Sequence, residues 1–421
     1  MFTKQEQKEV EPSTSLSTPN RLAEREDRAG LGGLAEHMKA IVQDEYGSPD
    51  VLELRDIDKP EIGDGQVLVR VRAAGVNPAD WAIMSGLPYI AHPVYGMRKP
   101  KSTVRGTDVA GTVEAVGTGV RRLQPGDEVF GWCDGSFADY AAASEERLAL
   151  KPANLTFEQA AAVPMAGLVA LQALRDHGGV RAGQKVLING ASGGIGTFAV
   201  QIAKALGAEV TGVCSTRNVD LVRSIGADHV IDYTREDFTQ KDQRYDFILD
   251  NVANHSLSDL RRALTPTGTL VPNGGGFENH WFASGGRVIS AHMLKRFVSH
   301  RLRPFLVSPK FEDLVFLKEL IETGKVTPVI DRTYPLSKAP EAIGHVGGGH
   351  ARGKGRRHRV TREAGVGSHV GIPVKRSDGR LYGTLCCLSH APNHFLVQCD
   401  LQGMKKLAHE TVAEIERKGL V

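Results

Sequence analysis

The sequence predicts an α/β protein in which an all-β lobe precedes a doubly wound parallel sheet. Short strand patterns, separated by turns that contain Gly and Pro, fill the chain from Met38 to about residue 155. Strands and helices alternate from Lys185 onward, which favours a parallel sheet with helices on both faces. A glycine cluster separates a strand from a helix within residues 186–205. These three observations define a two-lobed architecture.

Residues 1–37 are rich in Glu, Lys, Ser, Thr and Pro and contain few bulky apolar side chains. Such a segment buries too little surface to offset chain entropy, so we expect a disordered tail. A strand pattern starts at Met38, which predicts that the folded protein begins there. Deleting residues 1–37 should therefore leave specific activity unchanged.

The β lobe is predicted over residues 38–155. Its strand patterns include residues 67–73, 111–116 and 127–130. Turn signals separate them, as expected for short antiparallel strands.

The glycine cluster carries the clearest ligand signal. Its strand–turn–helix context lets backbone N–H groups approach a pyrophosphate at the positive end of a helix. A second strand, at residues 209–213, closes a βαβ unit. The candidate cofactor residues in this turn are Gly190, Ser192, Gly193, Gly194 and Ile195.

The end of the second strand indicates which dinucleotide is bound. NAD-binding folds place a carboxylate here for the ribose 2′-OH, whereas this chain has Ser215, Arg217 and Asn218. Hydroxyls and a guanidinium suit a 2′-phosphate, which predicts NADP(H). The alternative is that Arg217 is only a solvated residue at the start of a helix.

Other strand ends add candidate cofactor contacts, because ligands in such sheets bind at the carboxyl ends of the strands. Asn251 follows the strand pattern at 247–250, and Gly274 and Gly275 follow the pattern at 269–272. Tyr233 follows the pattern at 229–231 and is alternatively a half-buried tyrosine at a strand end.

Four further motifs make the chain resemble the medium-chain dehydrogenase/reductases, specifically their zinc-free, quinone-oxidoreductase-like branch. They are AAGVNPAD at 73–80, GTDVAG at 106–111, PGDEVFG at 125–131 and GADHVIDY at 226–233. The resemblance covers about residues 38–354. It implies a GroES-like lobe at 38–155, a Rossmann domain at 156–295 and a return to the first lobe at 296–354. It also implies a homodimer and a role for Tyr233 at the adenosine phosphate or ring.

Zinc ligands are missing from the positions where the zinc-dependent branch carries them. That branch has Cys where this chain has Asn77, and Gly-His-Glu where it has residues 106–108. Asp80 and Asp108 alone do not make a zinc site. We therefore predict no catalytic metal and hydride transfer to an activated acceptor: a quinone, an enone or an enal.

The resemblance implies that Asn77 and Asp80 lie beside the nicotinamide, with Asn77 orienting the substrate or cofactor and Asp80 bracing its loop. The alternative is structural, with Asn77 and Pro78 shaping a turn and Asp80 capping a helix. Side chains that would line the acceptor pocket, or else pack in the core, are Trp81, Tyr89 and Trp281. Val169 replaces a threonine that relatives often place beside the nicotinamide.

The carboxyl end departs from the family. Relatives continue after GHARGK with an apolar strand, but this chain has a basic junction at 355–360. Deleting one base from a plausible coding sequence yields Val-Val-Val-Thr-Val, so one hypothesis is a frame change; the alternative is a true basic linker. Residues 361–421 resemble the second half of a GAF domain, with a predicted hairpin and an amphipathic helix at about 400–417.

The composition limits the classes of binding partner that we expect for this protein. A net charge of +3 over 421 residues, with both signs mixed, gives no field that requires nucleic acid or a membrane. The five cysteines show no metal or disulfide spacing, and no targeting segment opens the chain, so we expect a cytoplasmic protein with a small-molecule substrate. The alternatives are an NADP(H)-dependent alcohol dehydrogenase, an NADPH-binding regulator and an inactive fusion product.

Overall fold

The computed structural model describes residues 37–273, 300–347, 368–375 and 381–389. Several predictions concern residues outside these ranges: the tail at 1–36, Gly274, Gly275, Trp281, the basic junction and the helix at 400–417.

The β lobe contains a five-stranded antiparallel sheet in the order β6-β3-β4-β5-β7, beside the antiparallel pair β1–β2. Val and Ala side chains of alternate strand positions fill its core. Its strands are β1 (His37–Gln43), β2 (Leu52–Asp58), β3 (Gln66–Gly75), β4 (Asp108–Val116), β5 (Glu128–Trp132), β6 (Tyr140–Ser144) and β7 (Leu148–Leu150). The predicted β lobe is confirmed.

Two short helices follow β3: α1 (Pro78–Ser85) and α2 (His92–Tyr95). Asn77 is the N-cap of α1, and Pro78 occupies its first turn, where a missing N–H is tolerated. Gly86, with φ of 69°, ends the helix in the left-handed conformation.

A helical segment joins the lobes. It consists of α3 (Phe157–Ala161), α4 (Pro164–Leu171) and a π-helical continuation (Gln172–Gly178). The break lies at Pro164, whose missing N–H cannot continue the preceding helix. The apolar residues of α4 are buried against the next domain.

The second domain contains a six-stranded parallel sheet in the order β10-β9-β8-β11-β12-β13. This order reverses direction between β8 and β11, which is the place where dinucleotides bind in such folds. Its strands are β8 (Lys185–Asn189), β9 (Glu209–Cys214), β10 (His229–Asp232), β11 (Tyr245–Asp250), β12 (Leu264–Pro272) and β13 (Arg301–Leu302). Its helices include α5 (Gly194–Ala205), α6 (Val219–Ser224) and α7 (Leu257–Arg262). The predicted doubly wound sheet is confirmed.

The predicted boundary at residue 296 needs correction. β13 still pairs with β12 in the parallel sheet. The following helix, α8 (Phe311–Glu322), contributes Leu314 and Leu317 to the core cluster that contains β8 and α5. The next helix, α9 (Ala339–Gly347), packs with Met84 and Trp81 of the β lobe. β13 therefore belongs to the second domain, whereas α8 packs against both lobes, since it also contacts β7 and Arg122 of the β lobe.

Near the carboxyl end, β14 (Ser368–Lys375) and β15 (Leu381–Ser389) form an antiparallel pair. This agrees with the predicted hairpin. The GAF resemblance of the whole segment stays a prediction.

Candidate active site

The glycine turn lies directly after β8, at the point where the strand order reverses. Gly190 has φ of 85°, a conformation that favours glycine. A Cβ on Gly196 would stand 2.1 Å from the Gly190 carbonyl oxygen, so only glycine lets α5 pack this closely on the turn. Gly193 is the N-cap of α5 and Gly194 its first residue. The turn thus presents the N-terminus of a twelve-residue helix to an anion.

The segment after β9 is tied to this turn by one buried amide. Asn218 Nδ2 donates to Ser192 Oγ at 3.1 Å and to Ser215 Oγ at 3.3 Å. Asn218 is only 4% exposed, so its amide joins the two loops instead of reaching into solvent. Arg217 is exposed and makes no ion pair within the described residues. Its guanidinium is therefore available to a phosphate.

A carboxylate lies near this position, on the next strand. Asp232 ends β10 and accepts a hydrogen bond from the Thr216 hydroxyl at 2.5 Å. That bond, together with those from Thr234, holds the pKa of Asp232 below its usual range. Tyr233 follows it and is 40% exposed at the surface. The hydroxyls of Thr216 and Thr234 thus donate hydrogen bonds to this carboxylate, and the Tyr233 ring is accessible.

The ends of β8 and β11 form a buried polar network that the sequence did not single out. Asn189 Nδ2 donates to Asp250 Oδ1 at 2.7 Å, and the backbone N–H of Ala253 donates to the same oxygen at 3.1 Å. Ala253 has φ of 60°, a strained conformation for alanine. The sequence could have indicated this network through one signal, namely an Asn or Asp at the end of each strand.

Asn251 extends this network towards the cofactor edge. Its Oδ1 accepts from Asn273 Nδ2 at 2.8 Å, while its own Nδ2 is buried without a hydrogen-bond partner in the described part of the chain. A buried donor without a partner is costly and is often completed by a ligand. Asn251, the glycine turn and Arg217 together fit a dinucleotide. Ile195, by contrast, packs against the apolar core.

Gln201 and Lys204, both on α5, have structural roles. Gln201 exchanges hydrogen bonds with the backbone of Thr327 at 2.8 and 3.0 Å. Lys204 pairs with Asp228 at 2.8 Å.

In the β lobe, Asn77 and Asp80 form a capping box at the start of α1. The backbone N–H of Asn77 donates to Asp80 Oδ2 at 2.7 Å, while the Asn77 side chain faces the backbone of the first helical turn. This is the geometry of the structural alternative, and the predicted bracing of the loop by Asp80 stays a prediction. Asp80 is 2% exposed, and burial raises its pKa to about 7.

A second buried carboxyl, Asp108, lies beside this box. Its Oδ2 accepts the backbone N–H of Met165 in α4 at 3.1 Å. Burial raises its pKa to about 7, although the neighbouring Asn77 amide acts in the opposite direction. The positive charge of Arg105, which is 4% exposed, lowers the pKa of Asp80, and burial lowers the pKa of the Arg105 guanidinium.

The proposed pocket-lining aromatic residues differ in exposure. Tyr89 is 42% exposed and contacts the edge of the His92 ring, with ring centres 5.5 Å apart. Trp81 packs in the cluster between α1 and α9 and is a core residue. Val169 is 7% exposed in α4. Of the two aromatic candidates that the structure describes, Tyr89 is thus the more exposed.

The donor set does not fit zinc. Asn77 offers an amide, Thr107 a hydroxyl, and Asp80 and Asp108 each give one oxygen to a backbone N–H. Zinc sites use three or four Cys, His or carboxylate ligands. Across the described ranges, no group of three His, Cys, Asp or Glu side chains is placed to hold a metal ion. No step of the proposed chemistry therefore uses zinc.

The fold, together with the residues at the carboxyl ends of the parallel strands, defines a two-lobed, nicotinamide-dependent oxidoreductase. Two family models match: the alcohol dehydrogenase GroES-like domain at residues 63–153 and the zinc-binding dehydrogenase at residues 225–355. The chain belongs to the medium-chain dehydrogenase/reductase family, with quinone-oxidoreductase-like homologues.

Individual relatives place it within that family. The mitochondrial NAD(P)H oxidoreductase RTN4IP1 of Bos taurus is 37% identical over 75% of this chain and 88% of its own length. The chloroplastic NADPH-dependent alkenal/one oxidoreductase of Arabidopsis thaliana is 34% identical, covering 76% and 79%. The structure of the quinone oxidoreductase from Coxiella burnetii superposes with a TM-score of 0.65 at 32% identity, covering 76% of this chain and 98% of that one.

The described helices include none that is both long and apolar enough to cross a membrane.

Proposed function

We propose that this protein reduces an activated acceptor, namely a quinone, an enone or an enal, with NADPH and without a metal. The observation that supports the proposal is the set formed by the partly buried Asn77 and the buried Asp80 and Asp108. By the family resemblance, Asn77 and residues 106–108 occupy positions where the zinc-dependent branch carries its ligands. The set adjoins α4, whose Met165 N–H binds Asp108. The names of the alkenal/one and quinone reductases among the relatives support the same acceptor class.

The choice of NADPH rests on the end of β9. Arg217 is exposed there without an acidic partner in the described residues, and the strand ends in Cys214 instead of a carboxylate. We propose that Arg217 and Ser215 hold the 2′-phosphate, and that Tyr233 lies against the adenosine end. Gly190, Gly193 and Gly194 would hold the pyrophosphate, with Asn251 nearer the nicotinamide. The predicted Gly274 and Gly275 belong to the same proposal.

Bound NADPH supplies a hydride. The protein orients the acceptor and excludes water around it. We assign Asn77 to orienting the acceptor or the nicotinamide through its amide, and Asp80 to holding the loop that carries Asn77. A hydrogen-bond donor at the acceptor oxygen stabilises the negative charge that develops there.

The test measures NADPH oxidation with a panel of quinones, enones, enals and simple ketones, alongside NADP⁺ reduction with alcohols. We expect turnover of the activated acceptors and little of the alcohols. Asn77→Ala should lower kcat while the Kd for NADPH stays unchanged. Alcohol oxidation that metal chelators abolish would instead favour an alcohol dehydrogenase. NADPH binding without turnover of any acceptor would favour the regulator.

A second preparation addresses the carboxyl end: a chain that ends after Lys354 followed by Val-Val-Val-Thr-Val. If only this version reduces an acceptor, then the carboxyl end of the present chain abolishes activity, as the hypothesis of an inactive fusion product states. The homodimer and the cytoplasmic location stay predictions, and the organelle names of relatives such as the bovine protein make localisation a separate measurement.

A further inference from the structure

Asp108 joins the two lobes at the candidate active site. It begins β4, where it pairs with Gly75 of β3 and Trp132 of β5. Its Oδ2 accepts the N–H of Met165, the second residue of α4, at 3.1 Å. The side chain is buried, so this bond lies inside the junction between the lobes.

The other carboxyl oxygen of Asp108 has no partner, and a donor that also lacks one lies near this carboxyl. Asp108 Oδ1 and Asn77 Nδ2 are both buried, and neither makes a hydrogen bond of ordinary geometry with the described residues. The Asn77 amide is nevertheless close enough to lower the pKa of Asp108. A carboxylate only accepts hydrogen bonds, so Nδ2 of the amide is its natural donor.

The surroundings leave this carboxyl little freedom. A Cβ on Gly75 would stand 2.5 Å from the Ala161 carbonyl oxygen and 3.3 Å from Asp108 Oδ2. Gly75 thus makes room for Asp108 between β3 and α3. Burial raises the pKa of Asp108 to about 7, so its ionised form depends on the two N–H donors.

We propose that Asp108 is a positioning residue that links the amide of Asn77 to the N-terminus of α4. The inference rests on the proposed function, because it sets the distance between an acceptor held by Asn77 and a nicotinamide held by the second domain. Val169 of α4 occupies the family position beside the nicotinamide. A displacement of about 1 Å between reacting groups lowers a rate by about 100-fold.

Asp108→Asn tests this link with a side chain of the same shape. Its oxygen can still accept from Met165, but its NH₂ group would face the NH₂ group of Asn77, and two donors repel each other. We expect kcat to fall by about 10- to 100-fold. The Kd for NADPH, measured by fluorescence without an acceptor, should stay unchanged. The primary isotope effect with 4-deuterated NADPH should increase as hydride transfer becomes more rate-limiting.

A swapped variant tests the contact itself. Asn77→Asp combined with Asp108→Asn exchanges donor and acceptor, and Asp is as good an N-cap as Asn. The swap should therefore recover most of the melting temperature that Asp108→Asn loses, even though Asn77 is absent and activity stays low. Because this measurement needs no substrate, it tests the contact even if no acceptor is turned over.

The control removes a hydrogen bond elsewhere, between the segment that follows β7 and the end of α8. Asn154 Nδ2 donates to the Ile321 carbonyl at 2.9 Å. Asn154→Ala should keep the wild-type isotope effect and kcat. A wild-type kcat in folded Asp108→Asn, an equal loss in Asn154→Ala, or no recovery of melting temperature in the swap would each overturn the proposal. If the wild type itself reduces no acceptor, the proposed function fails, and the swap still decides whether Asp108 binds Asn77.

Discussion

The buried carboxyl of Asp80 makes a quantitative prediction about stability and pH. Burial raises its pKa from 3.8 to about 7. The folded protein holds this proton more tightly than the unfolded chain does. The protonated carboxyl therefore stabilises the fold fully below about pH 4, and this stabilisation is lost as the pH rises through about 7. One pH unit corresponds to about 1.4 kcal/mol. Between about pH 5.5 and about pH 8, Asp80 therefore costs the fold about 2 kcal/mol.

Asp80→Asn removes the titration and keeps an oxygen that accepts the Asn77 N–H. Its stability relative to wild type should increase by about 2 kcal/mol from about pH 5.5 to about pH 8. The assay is urea unfolding at both pH values, followed by fluorescence and by circular dichroism so that separate unfolding of the lobes is detected.

Asp228→Asn is the matched control. Asp228 also accepts a backbone N–H, from Val210 at 2.7 Å, but it has the partner Lys204. Burial raises the pKa of Asp228, yet these two partners outweigh it and hold the pKa below its usual range. The stability change in this variant should be the same at both pH values. If Asp80→Asn also shows the same change at both, then Asp80 is ionised throughout and the reasoning from burial is wrong.

Two further predictions concern the cofactor edge. Gly196→Ala places a Cβ 2.1 Å from the Gly190 oxygen and should destabilise the fold by about 3 kcal/mol, whereas a Cβ on Gly194 meets nothing nearer than Ala166 at 3.9 Å. Urea unfolding of the two variants checks this, and equal stability would contradict the packing argument. Arg217→Ala should weaken NADPH binding by about 10- to 100-fold and leave NADH binding unchanged, because a charge-assisted bond to the 2′-phosphate contributes about 1.5–3 kcal/mol. Titration with both cofactors measures this, and an equal loss for the two would remove Arg217 from the phosphate site.

Much of the fold follows from local patterns. The predicted strand at 229–231 is observed as His229–Asp232, and the pattern at 209–213 as Glu209–Cys214. Each is a short run of mostly β-branched residues, so its length and the signals that flank it identify it as a strand. β13 is different, since Arg301–Leu302 is too short to show any alternation. Its membership of the sheet depends on pairing with β12, and the predicted domain boundary therefore came too early.

The site was predictable where backbone conformation decides the residue type. The backbone has a positive φ at Gly190, and at Gly196 there is no room for a Cβ. Both conditions favour glycine, so both are visible in the sequence. Side chains that act through tertiary contacts left no such signal. Asn218 was predicted as a cofactor ligand, but its amide binds Ser192, 26 positions earlier in the chain. Asp108 was considered only as a metal ligand, because its contact with Met165 exists only once the lobes meet.

The buried polar atoms without hydrogen-bond partners mark the places where the fold does not satisfy its own hydrogen-bonding groups. Among the described residues eight such side-chain atoms occur, and six of them belong to residues 43–136 of the β lobe. They include Asn77, Thr107 and Asp108. Each costs about 1–3 kcal/mol when left unsatisfied, so chance would spread them thinly across the core. Asn77 Nδ2 lies in the capping box of α1, and Asp108 Oδ1 belongs to the carboxyl that contacts α4, so both atoms lie beside the second domain. The proposed contact joins Asn77 to Asp108, and a bound acceptor and cofactor would complete the hydrogen bonds of the remaining atoms at this junction, which is why we place the chemistry there.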